Sequence, residues 1–401
     1  MVRPLGVPAA AEQLRRHNTA LVLRTLRDGG PGSRAELAVR SGLAKATVGA
    51  IVATLLASGV LHDHPPVSAA AAVRGRPGRP VTLAGSRTVA LGVEVNVDYL
   101  AAVALDLSGA TRLLEEHPVD APAVDAVVAF ARGCRDRLVD AGLDVLGTTV
   151  AVPGLIDRER GRVTSAPNLG WAGLDLAAAV SAALGPGCPV GVDNDANCAA
   201  LAEADRGAGV GAEDLVYLTG TVGVGGGIVT GGRIARGARG YAGEVGHLAV
   251  GGSTAVCACG RTGCWEAQIG LRAMLAAVGR PELAAHTDPV AAATEVAGLA
   301  GTDPQVRAGL AVVAEALGRG VAMLVNALDP RLVVLGGYFV PLGPWLLPAV
   351  EEALRTAVFA PQMGGCTVAL SRLGLHAAST GAASAVLAEA FGGTVALPVR
   401  Q

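Results

Sequence analysis

Four residues in one short stretch have the side chains and spacing of a metal centre. His247, Cys257, Cys259 and Cys264 make a His-x9-Cys-x-Cys-x4-Cys run with Gly260 and Gly263 inside it. One imidazole and three thiolates fill the four positions of a tetrahedral zinc ion, and glycines let the backbone fold tightly around it. With every position taken by protein no water is left to activate, so the spacing predicts structural rather than catalytic zinc. Reactive thiols, or thiols that are merely buried, are the alternatives. The other four cysteines, Cys134, Cys188, Cys198 and Cys366, sit in largely uncharged or apolar stretches and are expected in the core.

Polar groups gather on either side of that run. Ala242-Gly243-Glu244-Val245-Gly246-His247 precedes it and Trp265-Glu266 follows, while Val192-Asp193-Asn194-Asp195-Ala196-Asn197 closes an apolar stretch upstream. Carboxylates and amides collected at a strand end suit the directional hydrogen bonds that sugar hydroxyls demand. A carboxylate such as Asp195 could also withdraw a hydroxyl proton during phosphoryl transfer. Each of these residues alone reads as a turn cap. Together they read as a site.

The elements that must hold them alternate in type. Segments 89–95, 100–107, 148–152 and 190–192 read as buried strands, with helices such as 124–138 between them. The second half repeats the pattern at 215–218, 226–230 and 332–335, with a long helix over 305–326. Two α/β lobes around a cleft are implied, with ligands at the C-terminal ends of strands. The uncharged stretch 332–350 contains three prolines and three glycines, which suit a strand, a loop and a helix start better than a membrane span.

A different module precedes the lobes. The whole chain of 401 residues has a formal charge of −2, but twelve basic and four acidic residues lie at or before Thr88, which leaves the remainder at −10. A basic head on an acidic body points to nucleic acid, a solvated face being the alternative. Leu21, Leu23 and Leu26 mark a helix over 17–28 that Gly29-Gly30-Pro31-Gly32 stops. Ser33 and Glu36 have capping-box spacing, so a second helix starts there. After Ser41-Gly42, the residues Val48, Ile51, Val52 and Leu55 make an amphipathic face ending near Gly59. Two helices on a tight glycine turn form a helix-turn-helix.

In that motif the second helix enters the major groove by its N-terminal end, which puts Ala44, Lys45, Ala46 and Thr47 against DNA. Segments 60–62 and 81–83 form the strands of a wing, with Arg74, Arg76 and Arg79 on a Gly/Pro frame at or beside its tip. Those arginines suit a narrow minor groove or the phosphate backbone; a flexible solvated linker is the other reading. With 51% hydrophobic residues, the length and composition exclude a disordered, collagen-like or small disulfide-stapled chain. The N-terminal residues lack an export pattern, so a cytoplasmic location with reduced thiols is expected, and no membrane partner.

Several spaced motifs resemble one family. Asn194-Asp195-Ala196-Asn197, Gly223-Val224-Gly225-Gly226-Gly227, the stretch from Gly240 to His247, the stretch from Cys257 to Glu266, and Pro330-Arg331-Leu332-Val333-Val334-Leu335-Gly336-Gly337 are similar to the ROK family of repressors and sugar kinases. Ala166-Pro167-Asn168-Leu169-Gly170-Trp171 belongs to the same pattern. The resemblance implies a winged helix-turn-helix followed by a two-lobed, actin-like ATPase domain with ribonuclease-H-like lobes. Boundaries at 1–87, 88–208 and 209–401 are expected, with the C-terminal helix packing back on the first lobe. It implies sugar contacts at Asn168, Asn194, Asp195, Glu244, His247 and Glu266, with Asp195 as general base in kinase members. The zinc ligands fall on His247, Cys257, Cys259 and Cys264.

The nucleotide motifs depart from the kinase pattern. Kinase members carry an Asp-x-Gly-Gly-Thr-type loop whose amides and hydroxyl meet phosphate. Here Glu94-Val95-Asn96-Val97-Asp98 stands in its place, with side chains where the glycines should be. A carboxylate where a phosphate belongs is repulsive, by about 4 kcal/mol at roughly 4 Å and an effective dielectric near 20. Val222 also replaces a threonine of the second phosphate loop. Bound ATP and Mg2+ are therefore not expected. A sugar-responsive repressor of carbohydrate genes follows, working as a homodimer or dimer of dimers on a roughly palindromic double-stranded operator. Its effector is a monosaccharide or sugar phosphate. A hexose kinase carrying a DNA-binding head is the alternative. Family recognition helices often carry serine around Ala44 and Gly49. Without those hydroxyls base contacts are few, which leaves groove-width readout to Arg76 and Arg79.

Overall fold

The computed structural model describes residues 9–65, 79–85, 87–251, 253–285, 288–359 and 365–395. The first helix, Ala9–Gly29, begins well before the expected position 17. The second, Arg34–Ser41, opens with the expected capping box: the Glu36 amide donates to Ser33 Oγ at 3.3 Å, and the Ser33 amide donates to Glu36 Oε2 at 2.7 Å. Gly42, at a φ of 71°, lets the chain turn into the third helix, Lys45–Ala57. The chain bends by 119° between these two helices, within the range of a helix-turn-helix. Leu61–Asp63 and Pro80–Leu83 pair antiparallel as the hairpin beside them. A two-residue strand, Gly32–Ser33, adds to Pro80–Leu83 and is too short to leave a pattern in the sequence.

Each lobe is built on five strands in the same order. In the first, Thr88–Val95, Tyr99–Asp106 and Thr111–Pro118 run antiparallel, and Asp144–Val152 and Val190–Asn194 follow parallel to Thr88–Val95. In the second, Leu215–Gly220, Val224–Thr230 and Arg233–Ile234 run antiparallel, with Leu332–Gly337 and Thr367–Leu370 parallel to Leu215–Gly220. This repeat is the ribonuclease-H-like arrangement of actin-like folds. Thr111–Pro118 is not legible in the sequence because it is a sheet edge, where Arg112, Glu115 and Glu116 replace apolar alternation.

The central strand Thr88–Val95 is buried on both faces. Val89, Leu91, Val93 and Val95 face one core with Val127 and Ala131 of the helix Val124–Asp140. Ala90 faces another, with Val386 and Leu387 of the C-terminal helix Ala377–Gly392. That helix comes within backbone contact of two elements, and glycine is what allows it. A Cβ on Gly92 would overlap the Ser379 carbonyl, and one on Gly381 would overlap the Cys198 carbonyl of the helix Asp195–Arg206. Its apolar surface is divided: Val386 and Leu387 meet the first lobe, while Ala377, Ala378 and Ala382 share a core with Leu215, Tyr217, Leu332 and Val334 of the second.

The far end of the same helix carries the head. Leu23 and Leu26 share a core with Leu387, Ala390 and Phe391. Arg24 Nη1 donates to the Phe391 carbonyl at 3.0 Å, and the Arg27 guanidinium lies 5.3 Å from the Phe391 ring centre. Both chain crossings between the lobes pass the buried Glu203, whose carboxylate accepts from Ser371 Oγ at 2.5 Å, Leu373 N at 3.1 Å and Ala208 N at 2.7 Å. The helix Pro304–Leu328 has the length and hydropathy of a membrane span, but it packs in the second-lobe core with Phe339, Leu342 and Leu346. Cys134, Cys188 and Cys198 are buried as expected, whereas Cys366, at the start of an edge strand, is only partly so.

Candidate functional site

Strand alternation splits the polar residues that end Val190–Asn194. Asn194 reaches the cleft that holds Asp195 and also borders a second cavity behind it, whereas Asp193 lines the second cavity only. Asn194 caps the helix Asp195–Arg206, its Oδ1 accepting from Asn197 N at 3.0 Å and its Nδ2 donating to Gly154 O at 3.1 Å. Asp195 therefore sits in the first helical turn, open to the cleft and otherwise enclosed. Burial pushes its carboxyl up to about 6 against the pull of the helix-end amides, and the charge of Glu244 adds to the rise. Asn197 Oδ1 is buried without a partner at the same helix start.

All six expected sugar contacts line one cavity of about 630 Å3 between the lobes: Asn168, Asn194, Asp195, Glu244, His247 and Glu266. Glu266 is fixed from three sides. Its Oε2 accepts from Val224 N at 3.0 Å, its Oε1 lies 3.4 Å from the Cys257 thiol, and the preceding Trp265 is buried with its indole donating to Ala316 O at 2.9 Å. Burial raises Glu244 above the ordinary carboxylate range; nearby His247 opposes the shift and Glu266 adds to it. Ser165, Thr221, Tyr241 and Arg261 also line the cavity. Nothing in their local sequence distinguishes them from turn residues, and only the closing of two lobes brings them together.

The metal cluster stands at the cleft wall. The ligand atoms of His247, Cys257, Cys259 and Cys264 lie within 4.8 Å of one another, with Cys257 Sγ 3.8 Å from His247 Nδ1 and Cys259 Sγ 3.7 Å from Cys264 Sγ. Ligands about 2.3 Å from a tetrahedral centre are about 3.8 Å apart, so two of the donor pairs already have that spacing and the set could hold a metal ion.

Glu94 and Asp98 stand where the resemblance puts the first phosphate loop. Glu94 is 5% exposed; Tyr99 Oη donates to its Oε1 at 2.7 Å, and Ser379 N, at the start of the C-terminal helix, donates to its Oε2 at 3.2 Å. Burial raises the Glu94 carboxyl to about 8, with the charge of Asp195 adding to the rise. Asp98 is raised to about 6, first by burial and then by Asp288 and Asp120. Neither partner of Glu94 is legible locally, since Tyr99 reads only as a strand residue and Ser379 is remote in the chain.

A raised carboxyl holds its proton in the folded chain where the unfolded chain has lost it. The Glu94 contribution to stability is therefore present at low pH and is lost as pH rises from about 5 to about 8, by at most about 1.4 kcal/mol per unit. Glu94→Gln keeps the shape and one acceptor, which serves Ser379 N, while its amide nitrogen donates to Tyr99 Oη, and it does not titrate, so it should gain stability relative to the wild type as pH rises across that window in pH-dependent denaturant unfolding. Parallel profiles for the two proteins would show that Glu94 is ionised.

In the head, Ala44, Lys45 and Ala46 are exposed at the N-terminal end of Lys45–Ala57 and Thr47 is partly so, while Val48, Ile51, Val52 and Leu55 are buried. Arg79 Nε lies 3.2 Å from Asp63 Oδ2. Arg74 and Arg76 lie outside the described residues.

Comparison with known proteins extends these findings. The profile described as the ROK family matches residues 90–389. A xylose repressor of Bacillus spizizenii is 26% identical over 377 residues, covering 92% of this chain and 94% of the repressor. A match of that extent necessarily runs through much of the helical head. A glucokinase of Halalkalibacterium halodurans is 35% identical over 251 residues, covering 59% of this chain and 75% of the glucokinase. A solved structure described as a ROK family transcriptional regulator, homolog of the E. coli MLC protein, superposes with a TM-score of 0.78 at 24% identity, over 95% of this chain and 97% of that one.

Proposed function

The chain belongs to the ROK family, and from that premise we propose that it is a sugar-responsive DNA-binding repressor of carbohydrate uptake or catabolism genes. One observation carries the reading: a helix-turn-helix head stands on the same polypeptide as a sugar-type cleft in which Glu94, at the place of the kinase phosphate loop, is held by Tyr99 and Ser379. A carboxyl that keeps its proton and is engaged on both oxygens is a poor ligand for Mg2+. Asp98, with Asp288 and Asp120 around it, adds negative charge where a triphosphate would lie. The full-length match to a xylose repressor supports the same reading.

The sugar contacts come from both lobes. Asn168, Asn194 and Asp195 belong to the first, and Glu244, His247 and Glu266 to the second, so a bound sugar favours the closed cleft. Three carboxylates on the wall, against Arg261, favour an uncharged monosaccharide over a sugar phosphate. Zinc fits the cluster, where it supplies a cross-link rather than chemistry. His247, Cys257, Cys259 and Cys264 then hold the loop that presents Glu244 and Glu266 to the sugar.

Closure shifts the relative placement of two heads in a homodimer, or in a dimer of dimers, and so changes affinity for a palindromic operator. Lys45 and Thr47 are the hydrogen-bonding side chains at the tip of the recognition helix, and Ala44 and Ala46 offer methyl contacts. Arg74, Arg76 and Arg79 add backbone or minor-groove contacts. Such a regulator works beside the chromosome, in the cytoplasm.

A hexose kinase carrying a DNA-binding head is the second reading, favoured by Asp195, the general base that the resemblance implies for kinase members, and by the glucokinase similarity. Thermal unfolding with D-xylose and D-glucose, run beside a coupled ADP-release assay with Mg-ATP, separates the two. One of these sugars at roughly 100 times its dissociation constant should add about 2.7 kcal/mol of stability without turnover. Turnover that Asp195→Asn abolishes would establish the kinase.

A further inference from the structure

A second cavity, of about 610 Å3, lies behind the sugar cleft and is bounded by both lobes and the C-terminal helix. Its wall holds a continuous chain of charges. Arg236, in the second lobe, reaches the first-lobe Asp193 with two parallel hydrogen bonds, 2.7 Å to Oδ1 and 2.6 Å to Oδ2. Asp193 is 3% exposed and also accepts from the Asn194 amide at 2.8 Å, so its carboxylate is rigidly tied to the residue that caps the Asp195 helix. Arg158 Nε lies 3.5 Å from Asp193 Oδ2, and Arg158 Nη2 donates to Glu389 Oε1 at 2.7 Å. Glu389 is on the C-terminal helix, two residues from Phe391, on which Arg24 and Arg27 of the head rest.

We propose that Arg236, Asp193, Arg158 and Glu389 are positioning residues that transmit the opening and closing of the sugar cleft to the DNA-binding head. The proposal rests on the sugar-responsive reading above. Its physical basis is that the two lobes meet at Arg236 and Asp193, directly behind Asn194 and Asp195. A paired, nearly buried carboxylate cannot lose its arginine without leaving charge unpaired, so the Asp193–Arg236 contact has two discrete states, made or broken. Arg158 shares that carboxylate. When Arg236 withdraws, Arg158 becomes the remaining cation for Asp193 and is drawn from Glu389, which frees the end of the helix under the head. The Arg158–Glu389 pair is itself 44% exposed on both sides and adds little to stability, so its role shows in coupling rather than in folding.

The test is operator binding by fluorescence anisotropy on DNA from upstream of the chain's own coding sequence, with and without the sugar that stabilises the protein, D-xylose or D-glucose. The wild type should show a ratio of operator affinities in the range of about 5–150-fold. Glu389→Gln should bring the ratio to about twofold or less while the sugar-induced thermal shift stays as in the wild type. Glu389→Asp, which keeps the charge, should restore part of the ratio. Glu352→Gln, at the exposed Glu352–Arg355 pair elsewhere on the surface, should leave it intact. Arg158→Gln is the second variant and should behave as Glu389→Gln does. A sugar-responsive wild type beside equally responsive Glu389→Gln and Arg158→Gln proteins would overturn the relay alone; a wild type whose operator affinity ignores the sugar would overturn the relay and the functional reading together.

Discussion

Stripping the metal from the cysteine cluster should weaken sugar binding by about 10–100-fold while the sugar-free protein still binds its operator. Glu244 and Glu266 flank the four ligands in sequence, and Glu266 lies against Cys257. Without a metal, three thiols and an imidazole have no reason to converge, and the described part of the loop is left to backbone pairing such as Ala249 with Cys264 and Val256 with Thr262. The head is remote from this loop and rests on the C-terminal helix, so its fold is not at stake. Calorimetric titration with D-xylose or D-glucose, before and after chelation with metal content measured on the same samples, reads the effect. Cys259→Ser should reproduce it, because Cys259 is exposed and its removal leaves the core untouched. Unchanged sugar affinity in demonstrably metal-free protein would mean that the loop holds its shape by itself.

Asp195→Asn should weaken the sugar by about 10–150-fold, the loss of one or two kcal/mol-scale hydrogen bonds to a charged acceptor. Asparagine keeps the size and the position in the first helical turn but presents a neutral amide. Burial also gives the wild type a pH signature. Burial pushes its carboxyl up to about 6, so Asp195 is ionised at pH 7.5; in the proposed sugar complex it then accepts two hydroxyl hydrogen bonds, and it loses one acceptor as the proton binds. Wild-type sugar affinity should accordingly fall as pH drops below about 6, and the Asp195→Asn protein should lack that component. An Asp195→Asn protein that binds sugar as the wild type does would remove Asp195 from the site.

Much of this was legible in the sequence where local physics decides. The capping box at Ser33 and Glu36, the metal ligands, and the buried strands 89–95 and 215–218 each follow from spacing or from apolar runs. The six expected sugar contacts rest on a family resemblance rather than on geometry, and one cavity brings these residues together. What escaped was tertiary. The strand Thr111–Pro118 hides as a sheet edge with charged side chains, and Glu94 becomes a blocked carboxyl only because Ser379, 285 residues later, lies on it. The Asp193–Arg236 pair joins residues 43 apart across two lobes, and no motif announces it. Alternation along Val190–Asn194 does foreshadow that Asn194 reaches the sugar-type cleft and Asp193 does not, but not what each one meets.

The central claim is that one cleft, filled by sugar, governs one head, bound to DNA. Its most direct test is a titration of labelled operator with wild-type and Asp195→Asn protein in the presence of a sugar already known to stabilise the wild type. The prediction is an operator affinity that the sugar moves by about 5–150-fold in the wild type, and that the same sugar concentration barely moves in Asp195→Asn. Operator affinity that stays constant while the sugar saturates the wild-type cleft would contradict the account.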